Sequence, residues 1–171
     1  MNVYIALLRA VNVGGTGKLP MSDLVALCQN AGLLQVKTYI ASGNVVCAST
    51  KSAAQVKALL EAALARYAGK PVGVFVRTPH EMAQVLADYP FSGTPPNRAV
   101  AIFLDAPPPA DTIARATHRN GEEIVLGRRE IYVSYGAGMA DSKLKIPAAN
   151  AGTARNLNTV AKLAQMAAAL G

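Results

Sequence analysis

The chain has 171 residues, with 17 Lys+Arg against 10 Asp+Glu and a net charge of +7. At this length one domain, or two small ones, buries roughly 70% of the unfolded surface and needs no disulfide or metal staple. Although 51% of the residues are hydrophobic, 32 of them are alanines, which leaves an ordinary globular core and excludes disordered, collagen-like and coiled-coil chains.

Val3 to Val11 is rich in β-branched and aliphatic residues and runs into Gly14-Gly15-Thr16-Gly17, which predicts a first strand followed by a loop. Pro20 to Ala31 places Leu24, Leu27, Cys28 and Ala31 at helical spacing, with Gly32 as terminator. Val36 to Ala41 and Asn44 to Ala48 predict a hairpin turning tightly at Ser42-Gly43. A helix from Ser52 carries Val56, Leu59, Leu60, Ala63, Leu64 and Tyr67 on one face, and Val72 to Val76 is again a strand. This order is that of a ferredoxin-like split βαβ unit.

The second half opens on Thr78-Pro79-His80-Glu81, a capping box with proline at the first helical position. There follow a strand at Val100 to Leu104, a short helix at Asp111 to Thr117, a hairpin of Glu122 to Leu126 with Ile131 to Tyr135, and a last helix bearing Leu157, Val160, Leu163 and Ala167. No final strand is predicted. The expectation is an α+β protein of two ferredoxin-like halves, 1–77 and 78–171, closely packed and built on mainly antiparallel sheets.

No apolar run is long enough for a membrane helix, and Arg9 interrupts the N-terminal apolar run before it could serve as a secretory signal. A cytoplasmic protein with no membrane partner is expected. Cys28 and Cys47 lie among apolar neighbours and predict buried free thiols; neither is spaced from His80 or His118 as a zinc ligand would be, so no metal is expected.

Three features suggest chemistry. The loop Asn12-Val13-Gly14-Gly15-Thr16-Gly17-Lys18 offers backbone N–H groups and a lysine to an anion, although Asn12 and Leu19 stand where a P-loop needs Gly and Ser or Thr. The segment Thr153-Ala154-Arg155-Asn156-Leu157-Asn158-Thr159 gathers hydrogen-bonding residues in the predicted opening turns of the last helix; it would either bind a phosphate or carboxylate or tie down a loop, with Thr153 as the cap. After Asp141 the chain holds Lys143, Lys145, Arg155 and Lys162 and no acid, so the two chain ends together could make a basic surface. Stacking aromatics are scarce, at 5%. For catalysis, His80 and His118 are expected at the surface, and adjacent Glu122 and Glu123 should face opposite ways along a strand.

The segments LLRAVNVGG up to Gly15, Lys18-Leu19-Pro20-Met21, Tyr39-Ile40-Ala41-Ser42-Gly43-Asn44-Val45-Val46, the Ile131-Tyr132 strand leading to Gly138, and Thr153 to Thr159 together resemble the uncharacterised bacterial family catalogued as domain of unknown function 1697. The resemblance implies a two-part α+β fold with ferredoxin-like halves, and it implies no activity, cofactor or catalytic residue. Ala10 and Val11 replace Gly and Ile of the family pattern, and Leu157 replaces an aromatic in RNWNT, which favours core packing over base stacking there.

The leading expectation is a binding module for an anionic ligand, whether nucleotide, phosphorylated metabolite or nucleic acid. Its candidate residues are Arg9, Asn12, Gly14, Gly15, Lys18, Ser42, Asn44, Lys143, Arg155, Asn156, Asn158 and Thr159. The alternative is a small enzyme acting on a phosphorylated or carboxylated substrate, with Arg9 or Arg155 positioning and Ser42 or Lys143 reacting. A third reading has the same residues pinning the two halves by hydrogen bonds. No motif names a cofactor, and a monomer or a weak homodimer through an exposed strand edge is expected.

Overall fold

In the computed structural model, which describes residues 1–12, 18–136 and 139–171, β-branched runs broken by glycine, proline and capping residues give β1 (Asn2–Leu8), α1 (Met21–Asn30), β2 (Leu34–Thr38), β3 (Asn44–Ser49), α2 (Ala53–Ala68), β4 (Val74–Arg77) and α3 (Pro79–Ala87). The chain continues through β5 (Ala99–Phe103), β6 (Glu123–Leu126), β7 (Glu130–Ser134), β8 (Thr153–Asn156) and α4 (Leu157–Leu170). The fold is α+β, with two four-stranded antiparallel sheets ordered β2-β3-β1-β4 and β6-β7-β5-β8. Compact unit 1 comprises Met1–Met82 with Lys162–Gly171, and unit 2 comprises Ala83–Ala161. Among the described residues no helix is long and apolar enough to cross a membrane.

In unit 1 the helices α1 and α2 cover one sheet face, where Tyr4, Ala6, Leu8, Val45, Cys47, Val74 and Val76 meet Leu24, Cys28, Val56, Leu60 and Leu64. Alternation along the strands sends Ile5, Leu7, Val46, Phe75 and Arg77 to the other face, and all five are buried. Ser52 caps α2 through a capping box with Gln55, and Gly69 ends the helix at φ +71°. Edge strand β4 is protected by α2: Val74 N–H donates to Glu61 Oε2 (3.1 Å) and Val74 O accepts from Lys57 Nζ (2.6 Å). The connection between β2 and β3 is a five-residue loop, Tyr39 to Gly43, rather than the expected two-residue turn. Gly43 sits at φ +88°, and a Cβ there would lie 2.6 Å from Val11 Cγ2, so this position needs glycine.

Unit 2 repeats the strand order of unit 1, and it does so with the final strand that the sequence reading lacked. Thr153–Asn156 pairs with β5 as an edge strand, with Ala101 opposite Arg155. Its Thr and Asn residues read as cap chemistry, and only the pairing with β5 makes them a strand. The helix expected at Asp111 to Thr117 is also corrected: the segment is a series of turns, held by Thr112 N–H and Oγ1 on the Pro109 carbonyl. Among its described residues, the β7–β8 connection contains a 3-10 turn, Pro147–Ala151, and an isolated β-bridge at Lys145, with no α-helix. Loops therefore stand where α1 and α2 stand in unit 1, packed over Val100, Ile102, Ile124, Ile131 and Val133 through Ala116, Leu144, Ile146 and Ala149.

Candidate functional site

Unit 1 collects Asn12, Ser42 and Asn44 at the end of β1. Asn12 adopts φ +55°, a conformation Asn tolerates better than most residues. Its Oδ1 accepts from Leu19 N–H (2.6 Å), while its Nδ2 donates to the carbonyls of Leu19 (2.8 Å) and Ala41 (2.8 Å). Asn44 is fully buried and donates through Nδ2 to Tyr39 O (2.8 Å) and Ser42 Oγ (2.8 Å). Leu8 N–H donates to Gly43 O (2.9 Å), which seats the β2–β3 loop against the chain leaving β1. Asn12 thus ties the loop after β1 to the β2–β3 loop, while Asn44 and Ser42 brace the β2–β3 loop internally. Gly14 and Gly15 lie outside the described residues.

Arg9 is exposed, and its backbone N–H donates to Gly73 O (2.9 Å). Lys18 is exposed at the rim of a cavity of about 230 Å3 whose walls include Val11, Leu19, Leu64 and Val72. Lys70 is the other charged residue on this wall, and sequence reasoning passed over it because it lies in the Gly69–Pro71 helix stop. Tyr67, on the same wall, gives its hydroxyl to Asp23 Oδ2 (2.8 Å), which engages the neighbouring acid and holds the Tyr67 proton above its usual range.

Unit 2 holds the second motif. Arg155 is 6% exposed on β8, and its Nη1 donates to Thr153 Oγ1 (2.8 Å) and Ala154 O (2.9 Å). Burial lowers its guanidinium from 12.5 to about 10. Asn156, not Thr153, caps α4: its Oδ1 accepts from Thr159 N–H (2.9 Å), the N3 donor. Thr159 is buried and Asn158 is exposed. Lys143 belongs to a different feature of this unit, an open cleft of about 690 Å3 shared with His118, Arg119, Glu122, Tyr135 and Ser142. His80 and His118 are exposed; β6 begins at Glu123 rather than at the expected Glu122, and Glu122, just before the strand, is buried while Glu123 is exposed.

Arg77 also escaped sequence reasoning. It is 1% exposed at the end of β4, opposite Ile5, and its Nη1 donates to Val76 O (3.1 Å). Thr78 and Glu81 then form the expected capping box of α3, with N–H donors at 2.9 and 3.1 Å. An arginine after a short apolar strand looks like a surface residue; only comparison with Arg155 on the topologically matching strand could have marked it.

The chain is similar over almost all of its length to the conserved bacterial protein SP0830 from Streptococcus pneumoniae, with 26% identity, a TM-score of 0.80 and coverage of 97% of this chain and 98% of that one. No curated protein matches the chain. Residues 1–132 match the family described as Protein of unknown function (DUF1697), and that span is well over half of the sequence, so the chain belongs to this family.

Proposed function

We propose that the protein binds a small anionic metabolite, phosphorylated or carboxylated, in the unit 1 cavity beside Lys18. One observation carries this reading: the charged residues lining the cavity are Lys18 and Lys70, above a floor of Val11, Leu19, Leu64 and Val72. Cations beside a hollow with low-dielectric walls attract an anion more strongly than they would on an open surface. The volume, about 230 Å3, suits a head group rather than a polymer, and the scarcity of aromatics favours a mononucleotide or a smaller ligand over nucleic acid. Asn12, Ser42 and Asn44 support this site only by fixing the loops of unit 1, because their side chains are engaged within the protein.

The test is a thermal-shift and calorimetric titration with inorganic phosphate, AMP and citrate. At least one of them should raise the melting temperature by several degrees at saturating concentration, since selective binding to the native state stabilises it by about 2.7 kcal/mol at 100-fold excess over Kd. The shift should vanish in Lys18→Ala/Lys70→Ala. Absence of any shift, or a shift that survives the double substitution, overturns the proposal.

A further inference from the structure

The loops that replace the helix layer of unit 2 meet in one antiparallel bridge, where Thr117 and Lys145 exchange backbone hydrogen bonds of 2.9 Å in both directions. Hollows open on either side of it. One, of about 530 Å3, is lined by Ile102, Leu144, Ile146, Pro147 and Ala149, with Thr117, Lys145 and Asn150 at its polar side. The other is the cleft of about 690 Å3 holding Arg119, Glu122, Asp141 and Lys143. Tyr135 lines both, and Thr117 and Leu144 of the first are chain neighbours of His118 and Lys143 of the second, so the first hollow adjoins the polar cleft.

The polar compartment carries both signs of charge. Arg119 donates Nε to Glu122 O (2.7 Å). Glu122 accepts from Ser142 Oγ (2.6 Å) and from Asn120 N–H, contacts that hold its carboxyl below the usual range and keep it ionised. Asp141 and Lys143 are exposed beside it. Two cations and two acids give no net attraction for a simple anion, which sets this place apart from the Lys18 cavity, but they complement a ligand that carries both charges.

We infer that this compartment binds a zwitterion with an apolar body, namely a free hydrophobic amino acid, its side chain among Ile102, Leu144 and Ile146 and its carboxylate and ammonium groups facing Arg119 with Lys143 and Asp141 with Glu122. The three hydrophobes supply burial, Tyr135 supplies a flat wall between body and head group, and the paired charges supply orientation. The inference is independent of the Lys18 cavity, which lies in the other unit.

Three probes with the same aromatic body separate the head groups: L-phenylalanine, 3-phenylpropionate and phenethylamine, each titrated at millimolar concentration into the full-length chain and followed by amide chemical shifts. L-Phenylalanine should move the amides of residues 117–122 and 142–146 and bind about tenfold more tightly than either single-charge probe, as one charge-assisted hydrogen bond implies. Arg119→Gln and Asp141→Asn, both at exposed positions, should each weaken it by about tenfold. Ala149→Phe, which fills the apolar hollow, should remove binding while the amide spectrum of unit 1 is unchanged. No perturbation at these amides, equal affinity for all three probes, or binding that survives Arg119→Gln and Asp141→Asn overturns the inference.

Discussion

Arg77 and Arg155 occupy matching positions in the two sheets. Each lies on the edge strand beside the first strand of its unit, opposite Ile5 and Ala101 respectively, and each donates Nη1 to the carbonyl of the residue before it. Each is followed at once by the residue that caps a helix, Thr78 or Asn156. The helices then repeat their burial: Met82 and Val85 are buried in one, Val160 and Leu163 in the other, with exposed Ala83 and Ala161 one residue after the first of each pair. Strand order and this strand, arginine, cap and helix sequence together describe the chain as two copies of one plan, the second with loops in place of two helices.

From this placement Arg155 is expected to act on stability. Truncation to Ala removes a buried side chain and leaves Thr153 Oγ1 and Ala154 O without its donor, at a cost of about 2–4 kcal/mol. Arg155→Met keeps most of the volume and removes a charge that burial penalises, so it should cost less than half as much. Urea unfolding of both variants measures the difference; equal losses would show that the charge, not the packing, matters.

The Asn12 clasp makes a second prediction. Asn12→Ala deletes three hydrogen bonds to the backbone of Leu19 and Ala41 and places a Cβ-bearing residue without a stabilising side chain at positive φ. At about 0.5–1.5 kcal/mol per bond, reduced here by partial exposure, the loss should be about 2–3 kcal/mol. Asn12→Asp preserves the acceptor for Leu19 N–H but sets a carboxylate oxygen against the carbonyls of Leu19 and Ala41 in place of Nδ2, so its loss should equal or exceed that of Asn12→Ala. Equilibrium unfolding of the pair ranks them; a harmless Asn12→Ala would mean that the clasp does not hold the loop.

Pattern made most of the fold legible, because Val56, Leu60 and Leu64 in α2 follow the helical period while the short apolar, β-branched runs of β1 and β3 are strand-sized and bounded by turn residues. Thr153–Asn156 was illegible as a strand: four residues with two cap formers carry no alternation, and their pairing partner Ala99–Phe103 is fifty residues away in sequence, on the order of a whole half-domain. The motif positions were legible as unusual but ambiguous in role. Asn12, Asn44 and Asn156 are conspicuous because buried or capping amides serve backbone groups, and sequence alone does not distinguish a backbone acceptor from a ligand. The cavity residues Lys70 and Arg119 gave no signal, since an exposed cation in a loop resembles any other.

The two free thiols tie stability to alkaline pH. Burial raises Cys28 from 9.0 to about 12, with nearby Cys47 adding to the shift, and burial raises Cys47 to about 11. Above pH 9 the unfolded chain releases thiol protons that the native state retains, so the unfolded state binds fewer protons and stability falls as pH rises. The fall runs to about pH 11 for Cys47 and about pH 12 for Cys28, with a slope of at most about 1.4 kcal/mol per pH unit for each thiol. In Cys28→Ala/Cys47→Ala the slope between pH 9 and 11 should flatten, leaving the part due to the tyrosines whose phenols are also raised, Tyr132, Tyr135, Tyr89 and Tyr67. Urea midpoints at pH 9, 10 and 11 decide it, and parallel curves for the two proteins would sink the assignment.

Ala10 is the position where this chain should be improvable. It sits at φ +56°, in the left-handed region, and is exposed at the start of the turn that follows β1. An L-residue pays roughly 1–2 kcal/mol for that conformation. Ala10→Gly removes this strain and gives back about 0.4–1 kcal/mol through the greater freedom of the unfolded chain, so the net should be a gain of about 0.5–1 kcal/mol. Ala62, exposed within α2, is the matched control: Ala62→Gly faces ordinary helical backbone and should lose about 1 kcal/mol. Opposite signs for the two substitutions in urea unfolding are the expected outcome, and a loss at both positions would show that Ala10 is not strained in solution.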